Sequence, residues 1–161
     1  MSHAISITQV DFQLESHRQA VLDLLDMYAS DPMGGGKPLA ADVRERLIPA
    51  LRMQPGGRYF LAFCDGQPVG LANCFPGFST FNARSLLNIH DIAVRPEYRG
   101  QGIGRALLTA IEQEARRSGF CKLVLEVRAD NAAGRHAYQK FGFDPGDPNS
   151  TAMAFWTKDL K

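Results

Sequence analysis

The run Arg99-Gly100-Gln101-Gly102-Ile103-Gly104-Arg105 sets three glycines between two arginines, a composition suited to binding an anion. Glycines at a turn let a ligand approach the backbone, and the first N–H groups of a following helix have no partner within it. With the helix dipole and the two guanidinium groups, such a turn cradles a phosphate or pyrophosphate. Two common phosphate-binding patterns do not fit. A dinucleotide fingerprint needs Gly-x-Gly-x-x-Gly, but the sixth position is Arg105 counted from Gly100 and Leu107 counted from Gly102. A P-loop ends in Gly-Lys-Ser/Thr, a triplet absent from the chain.

Other polar residues stand in apolar, strand-like segments, where an unpaired polar group is costly. His90 and Asp91 interrupt Ile89–Val94, and Glu126 lies within Lys122–Arg128. An imidazole has an ordinary pKa near 6.5 and can relay a proton through water, so His90 is a candidate base; a hydrogen-bonded core histidine is the alternative. Strand alternation puts His90 on the face of Ile92 and Val94 and Asp91 on the other, unless a bulge resets the phase. Asp91 suits a structural partner of a backbone or basic group. Glu126 suits an ion pair with Lys122 and Arg128.

The elements that must position these residues follow from periodicity and turn signals. Ile5–Val10 alternates as a strand. Asp11–Ser16 reads as a turn with a helix cap, and Gln19–Tyr28 as an amphipathic helix. Ser30–Leu39, with Pro32, three consecutive glycines and Pro38, is a loop. A second helix is expected over Ala41–Met53, kinked or ended by Pro49. Tyr59–Cys64 and Pro68–Asn73 flank Asp65-Gly66, a hairpin signal, and Pro76-Gly77 is expected to interrupt before the strand Leu86–Val94. A helix follows over Ile103–Ser118, closed by Gly119, then a strand over Lys122–Arg128. Asn131 caps a short helix, Ala132–Phe141, closed by Gly142, and Ala152–Thr157 reads as the last strand. The order is β-α-α-β-β-β-α-β-α-β. Short turns imply antiparallel neighbours, and the crossover from Leu86 to Arg128 implies a parallel pair. The expected fold is a mixed α/β, mostly antiparallel sheet with helices on both faces, in one domain over residues 1–161.

Composition narrows the function classes. With 161 residues, 45% hydrophobic and 22% charged, the chain can bury a real core. A net charge of +1 gives no electrostatic case for nucleic acid or membrane binding. No apolar run approaches the roughly 20 residues of a membrane span, and the N-terminus lacks a secretory pattern. Cys64, Cys74 and Cys121 are scattered in apolar segments and read as buried free thiols of a reducing cytoplasm. No metal site is expected, since CxxC and H-x₃-H spacings are absent.

Two motifs together carry a family resemblance. Arg99–Gly104 resembles the acyl-CoA loop of the GCN5-related N-acetyltransferases, Arg/Gln-x-x-Gly-x-Gly/Ala, preceded by the strand end Val94-Arg95-Pro96-Glu97-Tyr98. Leu125–Phe143 resembles the second cofactor element of that family, in which an Asn opens a helix and a Tyr follows seven residues on, before x-x-x-Gly-Phe. The element order is similar too, so the resemblance covers nearly the whole chain, with a motif-bearing core at 87–143. A looser likeness, Gly77–Phe81 ahead of D-x-x-V-R-P-E-Y-R-G, points to the polyamine and thialysine acetyltransferase branch. Those proteins carry an acidic residue where this chain has His90.

The resemblance implies acetyl transfer from acetyl-CoA, as cosubstrate, to a primary amine of a small molecule by direct attack. It implies that the backbone of Ile92, Ala93 and Val94, splayed from the next strand by a bulge, pairs with the pantetheine arm. It assigns the pyrophosphate to Arg99, Gly100, Gln101, Gly102, Ile103, Gly104 and Arg105, a cofactor contact to Asn131, and the general acid to Tyr138. A phenol of ordinary pKa about 10 stays protonated at neutral pH and can donate to a departing thiolate. The alternative for Tyr138 is a core residue on an apolar helix face with Ala133, Ala137 and Phe141. Acceptor binding is expected near Asp31, in the loop after the first helix, and near Phe78, Phe81 and Asp91; core packing is the other explanation for the two phenylalanines. A protein or peptide N-acetyltransferase and a non-catalytic acyl-CoA sensor are the competing functions. Homodimers are frequent in the resembling family, and Ala152–Thr157 is an edge that suits pairing.

Overall fold

The computed structural model describes residues 4–145, and the chain divides after Arg128 into two compact units. In the first unit the order is β1 (Ile5–Gln9), α1 (Glu15–Ser30), α2 (Ala41–Met53), β2 (Arg58–Cys64), β3 (Gln67–Ser79) and β4 (Arg84–Val94). A 3₁₀ turn at Pro96–Tyr98, α3 (Ile103–Arg117) and β5 (Leu123–Leu125) complete it. The strands form one sheet in chain order, antiparallel from β1 to β4 and parallel between β4 and β5. This is the mixed, mostly antiparallel α/β architecture that the turn lengths and the crossover predict. The second unit holds α4 (Ala132–Phe141). The strand expected over Ala152–Thr157, with the edge it would offer a second copy, lies outside the described residues. Among the described residues no helix is long and apolar enough to cross a membrane.

Alternation along the strands sends side chains to two helical layers. Tyr59, Leu61, Leu71 and Ala93 are buried with Ala20, Val21 and Leu24 of α1 and Ile48 and Leu51 of α2. The intervening residues face α3: a Cβ placed at Gly70 would lie 3.4 Å from the Leu107 side chain. From α3 come Ile103, Leu107, Leu108, Ile111 and Ala115, all buried. Each fully buried aliphatic side chain of this size contributes about 1.5–3 kcal/mol.

Several boundaries differ from the sequence reading, each for a local reason. Helix α1 starts at Glu15, not Gln19: Arg18 donates to the carbonyls of Phe12 (2.7 Å) and Gln13 (2.9 Å) and pairs with Glu15, so the first turn is fastened by an arginine rather than a side-chain cap. Helix α2 keeps its expected bounds, Ala41–Met53, so of the two effects expected of Pro49 the ending does not occur. Pro49 and Glu45 are both exposed, so water can take the carbonyl that the missing N–H leaves. Strand β3 continues through Pro76-Gly77 to Ser79. Beyond Cys74, which faces the first residue of β2, only β4 flanks it, and such an edge tolerates proline. Strand β5 has three residues, and Glu126 is exposed beyond its end. Cys64 and Cys74 are buried free thiols as expected, but Cys121 precedes β5 and is only partly covered. The Asp65-Gly66 hairpin forms, with φ of 49° and 81° as a two-residue primed turn requires.

One charged group is buried under this sheet. Glu114 of α3 is 6% exposed and gathers Arg58 of β2 (2.8 Å), Gln9 of β1 (3.1 Å), Ser118 (2.8 Å) and Arg117. Burial alone would raise its pKa. The hydrogen bonds from Ser118, Arg58 and Arg117 outweigh burial and hold the carboxyl at about 2, from an ordinary 4.5. Because the folded value is depressed, this stabilisation is full above about pH 4.5 and is lost as pH falls toward 2. A Glu114→Gln variant should be about 3 kcal/mol less stable than the parent at neutral pH, with the gap closing between about pH 4.5 and 2. Urea unfolding across that range measures it, and a pH-independent gap contradicts the assignment.

Candidate functional site

Strand β4 carries one residue too many for its partner. Ile92 lies opposite Ala72 and Asp91 opposite Asn73, but Cys74 lies opposite Ile89, leaving His90 as the extra residue of a β-bulge. The bulge resets the phase. Ile89 shares the face of Cys74, toward α3, while Asp91 shares the face of Asn73, Leu71 and Ala93, toward α1 and α2. His90 follows them: its ring meets Phe75 edge-on at 5.7 Å, and Phe75 meets Tyr59 at 5.9 Å. Simple alternation, which grouped His90 with Ile92 and Val94, is thereby corrected. His90 is exposed, so it is not a core histidine.

The bulge also ends a pairing. Strand β5 is matched only to Leu87–Ile89, so among the described residues the β5 side of residues 90–94 has no partner strand. The main chain of Ile92–Val94, which the sequence reading assigned to the pantetheine arm, lies in this stretch. Ala93 is packed beneath Leu71, which leaves it only backbone groups to offer. The Val94 carbonyl already accepts a 3.0 Å bond from Nε of Arg99.

Around the bulge lies a polar cluster. Asn73, 1% exposed, donates to Asp91 at 3.0 Å, while its own Oδ1 is buried with no partner among the described residues. Tyr28, from the last turn of α1, is close enough to Asp91 and Asp31 for both charges to act on it. Burial, then Asp91, then Asp31 push its phenol above the ordinary value, so it stays a proton donor. Asp31 accepts from Nη2 of Arg99 at 2.8 Å and from the Met33 N–H at 2.8 Å, and the arginine bond leads in holding its carboxyl below the usual range. Sequence reasoning gave Tyr28 only a packing role and overlooked Asn73. A single Asn inside the apolar run Val69–Phe75 was the available signal. Burial and the Asp91 charge push the Cys74 thiol up to about 12, so it supplies no thiolate nucleophile at neutral pH.

The glycine-rich turn leads from Arg99 into α3. Gly100 and Gly102 have φ of 76° and 84°, left-handed values that a side chain would oppose. Gly102 is the N-cap of α3 and provides no side-chain cap, and no acidic residue follows in the first turn. By contrast, α1 and α2 open with Glu15 and Asp42, and α4 is capped by Asn131. The first turn of α3 thus holds no acidic residue of its own and carries Arg105 instead. The Ile103 side chain is core and can contribute only its N–H. Gln101 bonds back to the Glu97 carbonyl at 3.2 Å, and Arg105 is exposed. Beyond its own helix turn, a Cβ at Gly104 would meet no atom of the described residues within 4 Å, so their packing does not ask for glycine there.

Of the remaining sequence candidates, Phe78 (62% exposed) and Phe81 (100%) sit at the far end of the β3–β4 hairpin and are not packed in the core. Five residues of β3 separate Phe78 from Asn73, roughly 17 Å at the strand rise. In the second unit, Asn131 caps α4 as expected, its Oδ1 accepting from the Gly134 N–H at 2.9 Å, and Gly142 closes the helix at φ 113°. Tyr138 is partly exposed and meets Phe143 edge-on at 5.9 Å. Ala133 and Ala137 are exposed, so the apolar face proposed as an alternative setting for Tyr138 is not buried.

Comparison with known proteins bears on this arrangement. The family model described as Acetyltransferase (GNAT) family matches residues 21–143. Streptothricin acetyltransferase of Streptomyces lavendulae is 42% identical over 87 residues, covering 53% of this chain and 44% of that protein. The ribosomal protein bS18-alanine N-acetyltransferase of Escherichia coli K12 is 46% identical over 56 residues, covering 35% of this chain and 38% of that protein. The matches thus span under half the length of these curated relatives. The solved structure of AAC(6')-Iy with a bisubstrate analogue, CoA-S-monomethyl-acetylneamine, shares the fold at a TM-score of 0.78 and 16% identity, covering 98% of this chain and 99% of that one.

Gly104 offers a direct check on the turn. Replacement by alanine should raise thermal stability by about 0.5 kcal/mol, since it removes a helix glycine without a clash. The same change should weaken binding of CoA at least several-fold, because the methyl group enters space that only a ligand would occupy. Unchanged CoA affinity in Gly104→Ala would show that the ligand does not approach this turn.

Proposed function

The chain belongs to the GNAT family of acetyltransferases, and from that membership we propose that residues 1–161 act as one N-acetyltransferase domain. It moves the acetyl group of acetyl-CoA to a primary amine of a small molecule, by direct attack and in the cytoplasm. The observation that carries this reading is the N-terminus of α3, which has neither a side-chain cap nor an acidic first-turn residue and is entered through two left-handed glycines. The CoA pyrophosphate supplies the missing negative charge, bound by the N–H groups from Gly102 to Arg105 with Arg99, Gly100 and Gln101 around it. The thioester supplies the activated acetyl carbonyl.

The chain's residues then have distinct tasks. The main chain of Ile92–Val94, without a partner strand on its β5 side among the described residues, holds the pantetheine arm and donates to the carbonyl oxygen as charge develops there. Asp91 and the Tyr28 hydroxyl orient the amine, and His90, exposed on the same face, takes up its proton through water. The new N–C bond forms as the C–S bond breaks, and the sulfur takes the Tyr138 proton, with Asn131 as a further cofactor contact. The likeness to streptothricin acetyltransferase supports a small-molecule acceptor. The likeness to a ribosomal-protein alanine acetyltransferase supports a second reading, a peptide amine.

Thiol release from acetyl-CoA, measured against polyamines, amino acids, aminoglycosides and peptides, separates these readings. Turnover on at least one non-peptide amine is expected. Turnover on peptides alone favours the second reading, and CoA binding without any turnover indicates a sensor. With a good acceptor, Tyr138→Phe should lower kcat by about 10²-fold or more while CoA affinity is kept. Unchanged kcat would remove Tyr138 as the acid.

A further inference from the structure

Asp31 and Arg99 lie 68 residues apart in the chain, and their 2.8 Å ion pair ties the loop after α1 to the glycine-rich turn before α3. The two ends of the pair differ. The Arg99 side chain is about half exposed, whereas that of Asp31 is 17% exposed and sits beside Tyr28, which also neighbours Asp91. We propose that Asp31 is an acceptor-specificity residue masked by Arg99, and that the cofactor's phosphates unmask it for a cationic amine. This rests on the CoA-binding reading given above.

The argument is one of competing charges. Arg99 already spends Nε on the Val94 carbonyl and one Nη2 hydrogen on Asp31. A diphosphate arriving at the turn brings negative charge against the Asp31 carboxylate and draws on the same guanidinium. Either the carboxylate separates from Arg99 or it stays and repels the diphosphate; in both cases it opposes cofactor binding while nothing else neutralises it. An ammonium group between Asp31, Tyr28 and Asp91 does neutralise it. Cofactor and cationic acceptor therefore bind with positive coupling, and reciprocity requires that each tighten the other. Before the cofactor is present, Arg99 keeps Asp31 from holding a cation unproductively.

Calorimetric titration of the full chain with CoA tests this, with 1,4-diaminobutane as the cationic probe. Asp31→Asn should bind CoA about two- to fivefold more tightly than the parent, the span expected for losing an exposed ion-pair competitor. Arg99→Ala should weaken CoA binding, and adding Asp31→Asn to it should bring no further gain. Saturating diaminobutane should tighten CoA binding to the parent and leave Asp31→Asn unaffected. If Asp31→Asn binds CoA equally or more weakly, Asp31 serves only to position Arg99 and the proposal is overturned. A diamine effect that is missing in the parent, or equal in the variant, overturns it as well. A parent chain that binds no CoA at all instead overturns the functional reading on which the proposal rests. Melting curves of each variant confirm that folding is retained.

Discussion

One extra residue in β4 determines how the rest of the site is laid out. Without the bulge at His90, a side-chain period of two would carry Asp91 to the face of Ile89, under α3, among Leu107 and Ile111. With it, Ile89 stays in that core while Asp91 and His90 turn to the other face, where Tyr28 and Phe75 wait. The same irregularity coincides with the end of the β5 ladder, so among the described residues a stretch of β4 main chain has no strand on one side. Asn73 lies directly across from Asp91 and donates to its carboxylate at 3.0 Å, which fixes the acid on that face.

The two ends of α3 show the same division between binding and stability. At the C-terminal end, Glu114 is enclosed by residues from β1, β2 and the helix itself, while Arg116 and Arg117 lie in the last turn where the dipole favours cations. That end fastens the helix to the sheet. At the other end the protein gives up roughly the few tenths of a kcal/mol by which a Ser, Asp or Asn cap would exceed glycine, and places glycines and an arginine there. A helix held so firmly at its far end and across Ile103, Leu107 and Ile111 can leave its first turn open.

Most of the fold was legible because it rests on local signals: the Asp65-Gly66 turn, the period of Leu107 and Ile111, the Asn131 and Gly142 caps. The glycine-rich turn into α3 was legible as a turn for the same reason, since its glycines and arginines are contiguous. What escaped depends on register. No local pattern states that β4 holds one residue more than its partner, so the face of His90 and the neighbours of Asp91 could not be assigned by alternation. Tyr28 reads as one more apolar residue of α1 until the sheet places Asp91 beside it. A proline signal misled at Pro76, because its effect depends on whether the missing N–H faces water or a partner.

The loop after α1 shows why three glycines in a row need not mean slack chain. A Cβ at Gly34 would collide with the Tyr28 carbonyl, so glycine is what lets the loop fold back over the helix end. The N–H groups of Gly35 and Lys37 both reach the Ala29 carbonyl (3.0 and 3.1 Å), those of Gly34 and Gly36 reach the Asp31 carbonyl (2.8 and 3.2 Å), and Leu39 bonds to Asp26 (2.8 Å). The carbonyls that a helix end leaves unsatisfied are taken up by the loop itself. Asp31 is therefore set by the end of α1 rather than by a free segment, and Tyr28 is set by the same turn. Both side chains inherit their place from a helix whose Val21 and Leu24 are wholly buried. The acidic cluster is thus built on the hydrophobic core at one remove, as the glycine-rich turn is built on α3, and the Arg99–Asp31 pair is where the two meet.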